Sequence, residues 1–102
     1  MPGTYPFFEL DIRKKQEILV IRARGALTTD SAKAIEEAIV TLSFQGNRQM
    51  LSIDLGSVFR FKYSAVARLA RIIRDQARLF QRVEVIGAEE NIISVIKVFG
   101  VC

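Results

Sequence analysis

Ser64 stands at the start of a helical stretch, with Arg60 and Lys62 closely before it. A phosphate there would sit near the positive end of the helix dipole with two cations to pair with, so regulatory phosphorylation fits the position. The same hydroxyl suits a purely structural task, since serine is a favoured N-cap worth about 1 kcal/mol to the helix it opens. The two roles are compatible. Arg60, Lys62 and the first N–H groups of that helix also suit a small anion or a nucleotide phosphate. Further on, Arg68, Arg71, Arg74 and Arg78 fall in one helical sector with Asp75 among them and Arg82 close behind, which localises the positive charge. Such a sector is either an ordinary solvent face or a docking surface for an acidic protein, an anionic lipid surface or nucleic acid. Nucleic acid ranks last, since no recognisable binding motif accompanies the arginines. Tyr63 either packs on Phe61 or projects as an amphipathic anchor of the kind enriched at interfaces.

Catalysis is not expected. The chain has no histidine, so the commonest general base and the commonest metal ligand are missing. Its one cysteine, Cys102, has no histidine to activate it and no second cysteine to pair with. Asp54 has no paired carboxylate and no metal-ligand cluster around it, and reads as an acceptor that orders a loop. No catalytic residue, metal or cofactor is assigned.

These residues need a frame to hold them. The 102 residues, 50% hydrophobic and 25% charged, suit one folded domain spanning 1–102, with a net charge of +4 that mildly favours acidic partners. No apolar run approaches the ~20 residues of a membrane span. The opening Met1 to Pro6 lacks a secretory pattern, so a cytoplasmic location is expected. Alternation from Phe8 to Ile12 marks a half-buried strand. After a polar connector, Arg13 to Glu17, Ile18 to Ile21 is apolar throughout, as in a strand covered on both faces, and Gly25 ends it. Thr28 to Ser31 offers oxygen acceptors for a helix start, and Ile35, Ala38, Ile39 and Leu42 form one apolar stripe, broken at Gln45 to Arg48. Met50 to Leu55 reads as a third, parallel strand, and Gly56 to Lys62 as a loop in which Phe59 and Phe61 serve packing. Ser64 to Leu79 is the clearest helix, with Val66, Leu69, Ala70, Ile73 and Ala77 on one side. Arg82 to Gly87 is a fourth strand and Ala88 to Phe99 a third helix, closed by Gly100. The order β-β-α-β-α-β-α predicts an α/β fold: a mixed, mostly parallel sheet of about four strands that begins with an antiparallel hairpin, with helices packed on it.

That order, with Gly25-Ala26-Leu27, Ser52-Ile53-Asp54-Leu55 and Gly87-Ala88-Glu89-Glu90-Asn91 in those places, resembles the STAS domain, the fold of anti-sigma-factor antagonists, over nearly the whole chain. Gly25 and Leu27 match the family's Gly-x-Leu, and Asp54 and Leu55 its Asp-Leu. The family's Asp-Ser-Ser-Gly falls on Lys62-Tyr63-Ser64-Ala65, which keeps one serine and loses the acid and the glycine. The resemblance implies that Ser64 is the residue a partner kinase phosphorylates. It implies docking through the segment Ser57 to Ser64 and the exposed side of the second helix, and so a partner surface of Arg60, Lys62, Tyr63, Arg68, Arg71 and Arg78. The family's final strand and helix have no counterpart here, since the chain stops at Cys102. The expected function is a non-catalytic bacterial signalling module for transcription regulation, whose partner is an anti-sigma factor or serine-kinase-like protein. The alternatives are an accessory subunit of a lipid or anion transport assembly, working without phosphorylation or membrane insertion, and a small anion or nucleotide binder. A homodimer stays open.

Overall fold

A computed structural model describes residues 8–43 and 50–98. The expected breaker Gln45 to Arg48, the closing Gly100 and Cys102 lie outside the described residues. Strand β1 (Phe8–Lys15) and strand β2 (Ile18–Leu27) form the antiparallel hairpin, in register from Phe8 opposite Gly25 to Lys15 opposite Ile18. Helix α1 (Thr29–Ser43) leads to strand β3 (Met50–Phe61), and helix α2 (Tyr63–Gln76), extended by a 3-10 turn at Ala77–Leu79, leads to strand β4 (Arg82–Ile86) and helix α3 (Glu90–Val98). The sheet order is β1-β2-β3-β4, with β2, β3 and β4 mutually parallel. The mixed four-stranded sheet and the element order are those the sequence predicts.

The core lies on one face of the sheet. Leu19, Ile21, Ala23 and Leu27 of β2 and Leu51, Ile53 and Leu55 of β3 are sealed against Ile35 and Ile39 of α1, Val66, Leu69 and Ile73 of α2, and Ile92 and Ile96 of α3. Two consecutive crossovers that advance the sheet in one direction leave their helices on the same side, and the burial pattern shows that they do. The opposite face carries charge. Arg22 Nε lies 3.3 Å from Asp54 Oδ2, Arg13 Nε 2.9 Å from Asp11 Oδ2, and Arg24 3.8 Å from Glu9. Ile18 to Ile21 is therefore not covered on both sides by helices: Val20 is only half-buried and lines a surface hollow with Arg13 and Arg22. An apolar run does not reveal which face a helix will take, and the helices here all take one.

Several boundaries also differ. The hairpin arms run on to Lys15 and from Ile18, so the polar connector shrinks to Gln16 and Glu17. Gly25 does not end β2. With φ at 108° it sits inside the strand where the register against β3 slips, a conformation open to glycine and strained for other residues. At the start of α1 the threonine signal holds, since Thr28 Oγ1 accepts from Ser31 N at 3.3 Å.

Candidate functional site

The site begins where β3 leaves the core. Asp54 Oδ1 accepts the Gly56 N–H at 2.8 Å while its Oδ2 receives Arg22 Nε, so the carboxylate orders the chain just beyond it, the role read from the sequence. Between Asp54 and Ser57 the register against β2 slips by one residue, and between Val58 and Arg60 it slips again. Each extra residue reverses which side chain points to which face. Strict alternation from Leu51, Ile53 and Leu55 would turn Phe59 inward. With the two slips, Val58 and Phe61 pack against the core instead, and Phe59 is left 68% exposed. The segment Gly56 to Phe61 is therefore strand rather than loop, and Phe59 is not a packing residue.

Two glycines close the turn beside it. Gly87, at φ 72° just past β4, lies so near Gly56 that a Cβ on it would stand 2.9 Å from the Gly56 Cα and N. Backbone meets backbone there, beside the Asp54 carboxylate, and no side chain fits between.

Helix α2 starts from a tertiary tie. Lys62 N donates to Leu27 O at 3.1 Å, and Lys62, extended at φ −107° and ψ 140°, is the N-cap whose own carbonyl accepts from Ala65 and Val66. The Lys62 side chain makes no capping hydrogen bond. Ser64 is then the second residue of the helix and exposed, so the N-cap role expected of it is not filled: pairing with β2 sets the cap position before any side chain does. Ala65 is fully buried, in keeping with its place on the core side. Tyr63 packs on Phe61, edge-to-face at 5.4 Å between centroids, and is also 61% exposed.

Arg60, Lys62, Tyr63 and Ser64 thus gather with Phe59 at one end of α2, all exposed. Arg68, Arg71, Arg74 and Arg78 are exposed along the helix and its 3-10 extension, away from buried Val66, Leu69, Ala70 and Ile73. Arg68 lies 3.6 Å from Glu36 of α1, and Arg74 lies 3.6 Å from Asp75. At 1.5 Å per residue Arg78 is roughly 20 Å along from Ser64, so the arginines form a stripe rather than a pocket. Lys62 also lines a hollow of about 290 Å³ with Thr28, Asp30 and Ser31, where the Asp30 carboxylate counts against an anion. Among the described residues no group of three or more Cys, Asp or Glu side chains is set to hold a metal, and no helix is long and apolar enough to cross a membrane. Phe59 is the residue that sequence reasoning missed. The signal available for it was Gly56 directly after the apolar strand, since a glycine there often marks a bulge.

Comparison with known proteins follows this geometry. A family model described as "Mlab, STAS domain" matches residues 10–102. No curated protein sequence matches the chain. Among solved structures, one described as a crystal structure analysis of Mglu superposes with a TM-score of 0.69 at 21% identity over 78% of this chain, which spans only 20% of that one. The anti-sigma factor antagonist SpoIIAA in its unphosphorylated form superposes with a TM-score of 0.67 at 21% identity, over 88% of this chain and 81% of that one. An anti-sigma-factor antagonist STAS domain from Rhodobacter sphaeroides gives 0.65 at 18% identity, over 85% and 97%. At these identities the superpositions speak to fold.

Proposed function

Because the chain belongs to the STAS family, we propose that it is a non-catalytic regulatory module that binds a protein partner through the end of β3 and the outer side of α2. The observation that carries this reading is the pair Phe59 and Tyr63, neighbouring aromatics 68% and 61% exposed, with Arg60 and Lys62 interleaved. Aromatic side chains flanked by arginine are the usual anchors of protein interfaces, and a solvent-facing phenylalanine costs free energy that a partner's pocket recovers. Arg68, Arg71 and Arg78 continue the surface and favour an acidic partner, which long-range attraction would steer toward it. The partner class is an anti-sigma factor or serine-kinase-like protein acting in the cytoplasm.

Phosphorylation of Ser64 is the proposed switch. Its hydroxyl is exposed in the first turn of α2, which holds no acidic residue, so a phosphate gains from the helix dipole and from Lys62. The added charge would stand beside Tyr63 and spoil an apolar contact there. A second reading, an accessory subunit of a transport assembly, keeps the same docking surface and drops the switch. What favours it is Lys62 and buried Ala65 in place of the family's acid and glycine.

Affinity capture from the source cell with the wild-type chain and with a Phe59→Ala/Tyr63→Ala variant tests the docking surface. A partner retained by the first and released by the second is expected, and equal retention by both would overturn it. Incubation of the complex with ATP then tests the switch. A mass gain on Ser64 is the expected outcome, and a captured kinase that leaves Ser64 unmodified selects the second reading.

A further inference from the structure

Strand β1 is an edge of the sheet, and among the described residues no strand pairs with its outer side. Its residues divide cleanly by face. Phe8, Leu10, Ile12 and Lys14 lie on the helix-covered side, opposite Gly25, Ala23, Ile21 and Leu19, while Glu9, Asp11, Arg13 and Lys15 lie on the charged side. Phe8 and Leu10 pack against the core, but Ile12 is 45% exposed although its cross-strand neighbour Ile21 is fully buried. The helix layer thins toward this edge and leaves an apolar side chain at the middle of an eight-residue unpaired strand.

We infer that this edge pairs with the β1 edge of a second copy of the chain, antiparallel about a two-fold axis at Ile12, to make one continuous eight-stranded sheet. Residues directly opposite in an antiparallel pair share a face, and a two-fold axis normal to the sheet therefore passes at a residue and sets it against its own copy. An axis at Asp11 or at Arg13 puts like charges face to face, and one at Leu10 sets Glu9 against the partner's Asp11. With the axis at Ile12, Glu9 meets the partner's Lys15 and Asp11 meets the partner's Arg13, and the symmetry repeats both pairs. On the other side Ile12 meets its copy, and Leu10 lies under the aliphatic stem of the partner's Lys14. Asp11 and Arg13 already attract each other within one chain at 2.9 Å, so pairing exchanges that contact for its equivalent across the interface. Lysines on an edge normally deter pairing with any strand. In this register Lys15 is matched to Glu9 and every charge on that face meets its opposite, whereas an axis at any other residue from Leu10 to Lys14 leaves at least one like-charge pair, so the charges favour this register over the others. This interface lies on the opposite edge of the sheet from β4 and does not depend on the docking surface proposed above.

Sedimentation equilibrium tests the inference. The wild-type chain should show a mass of twice 11.5 kDa, with dissociation promoted by salt. Two variants oppose each other: Glu9→Lys/Asp11→Lys makes the charged face of the edge wholly positive, and Arg13→Glu/Lys15→Glu makes that face wholly negative. Each alone should sediment as a monomer with an unchanged circular dichroism spectrum, and an equimolar mixture should recover the dimer. Ile12→Asp, on the axis at a partly exposed position, should raise the dissociation constant roughly tenfold or more. A wild-type mass of 11.5 kDa at every concentration would overturn the inference and leave the edge to a strand of another protein. Dimers that survive in each charged variant alone, or folded variants that stay monomeric when mixed, would equally overturn it.

Discussion

From Met50 to Leu55, β3 runs between β2 and β4, and Leu51, Ile53 and Leu55 are shut in the core; from Gly56 to Phe61 it pairs with β2 alone, and Phe59 and Arg60 face solvent. Apolar content does not explain the contrast, because the outer half holds Val58, Phe59 and Phe61. Two things change at Gly56. Strand β4 has ended at Ile86, so the strand loses a neighbour, and the register slips reassign the faces. One strand therefore stabilises the domain with its first half and displays side chains with its second.

Substitution along β3 measures how far the halves are independent. Ile53→Ala should cost about 2–5 kcal/mol in urea unfolding, since it deletes a fully buried side chain at the centre of the sheet. Gly87→Ala attacks the junction, where the new methyl would meet Gly56 backbone at 2.9 Å and the residue would sit at φ 72°. A loss of about 1–3 kcal/mol is expected, and no loss would show that the junction yields easily. Asp54→Ala removes the acceptor for Gly56 N–H and the partner of Arg22, for about 1 kcal/mol. Amide exchange should then speed up from Gly56 to Phe61 more than from Leu51 to Leu55, whereas equal acceleration would mean the halves open together. The smallest effect belongs to Phe59→Ala, which should leave stability within about 0.5 kcal/mol while releasing the partner. A loss rivalling that of Ile53→Ala would make Phe59 a core residue and end the contrast.

The buried side of α2 was legible because Val66, Leu69, Ala70 and Ile73 recur at the helical period, and each is buried as that period requires. Asp54 was legible for a similar reason, since an aspartate two residues before a glycine can bond the backbone locally. Ser64 as a cap was misread. A serine near a helix start satisfies the local rule, yet the tie from Lys62 N to Leu27 O places the cap two residues earlier. The arginine stripe was visible as a helical sector, but its contact with Glu36 of α1 joins residues far apart in the chain.

Residue order alone thus determined the seven principal elements, their alternation, the mixed sheet and the inward sides of α1 and α2, because helical and strand periods are properties of adjacent residues. Tertiary structure decided that β2 continues past Gly25 and β3 past Leu55, that Phe59 turns outward, that Lys62 caps α2, and that all three helices share one face of the sheet. Each of these depends on which strand lies alongside and in what register, and one extra residue in one strand is enough to turn a side chain from the core to the solvent.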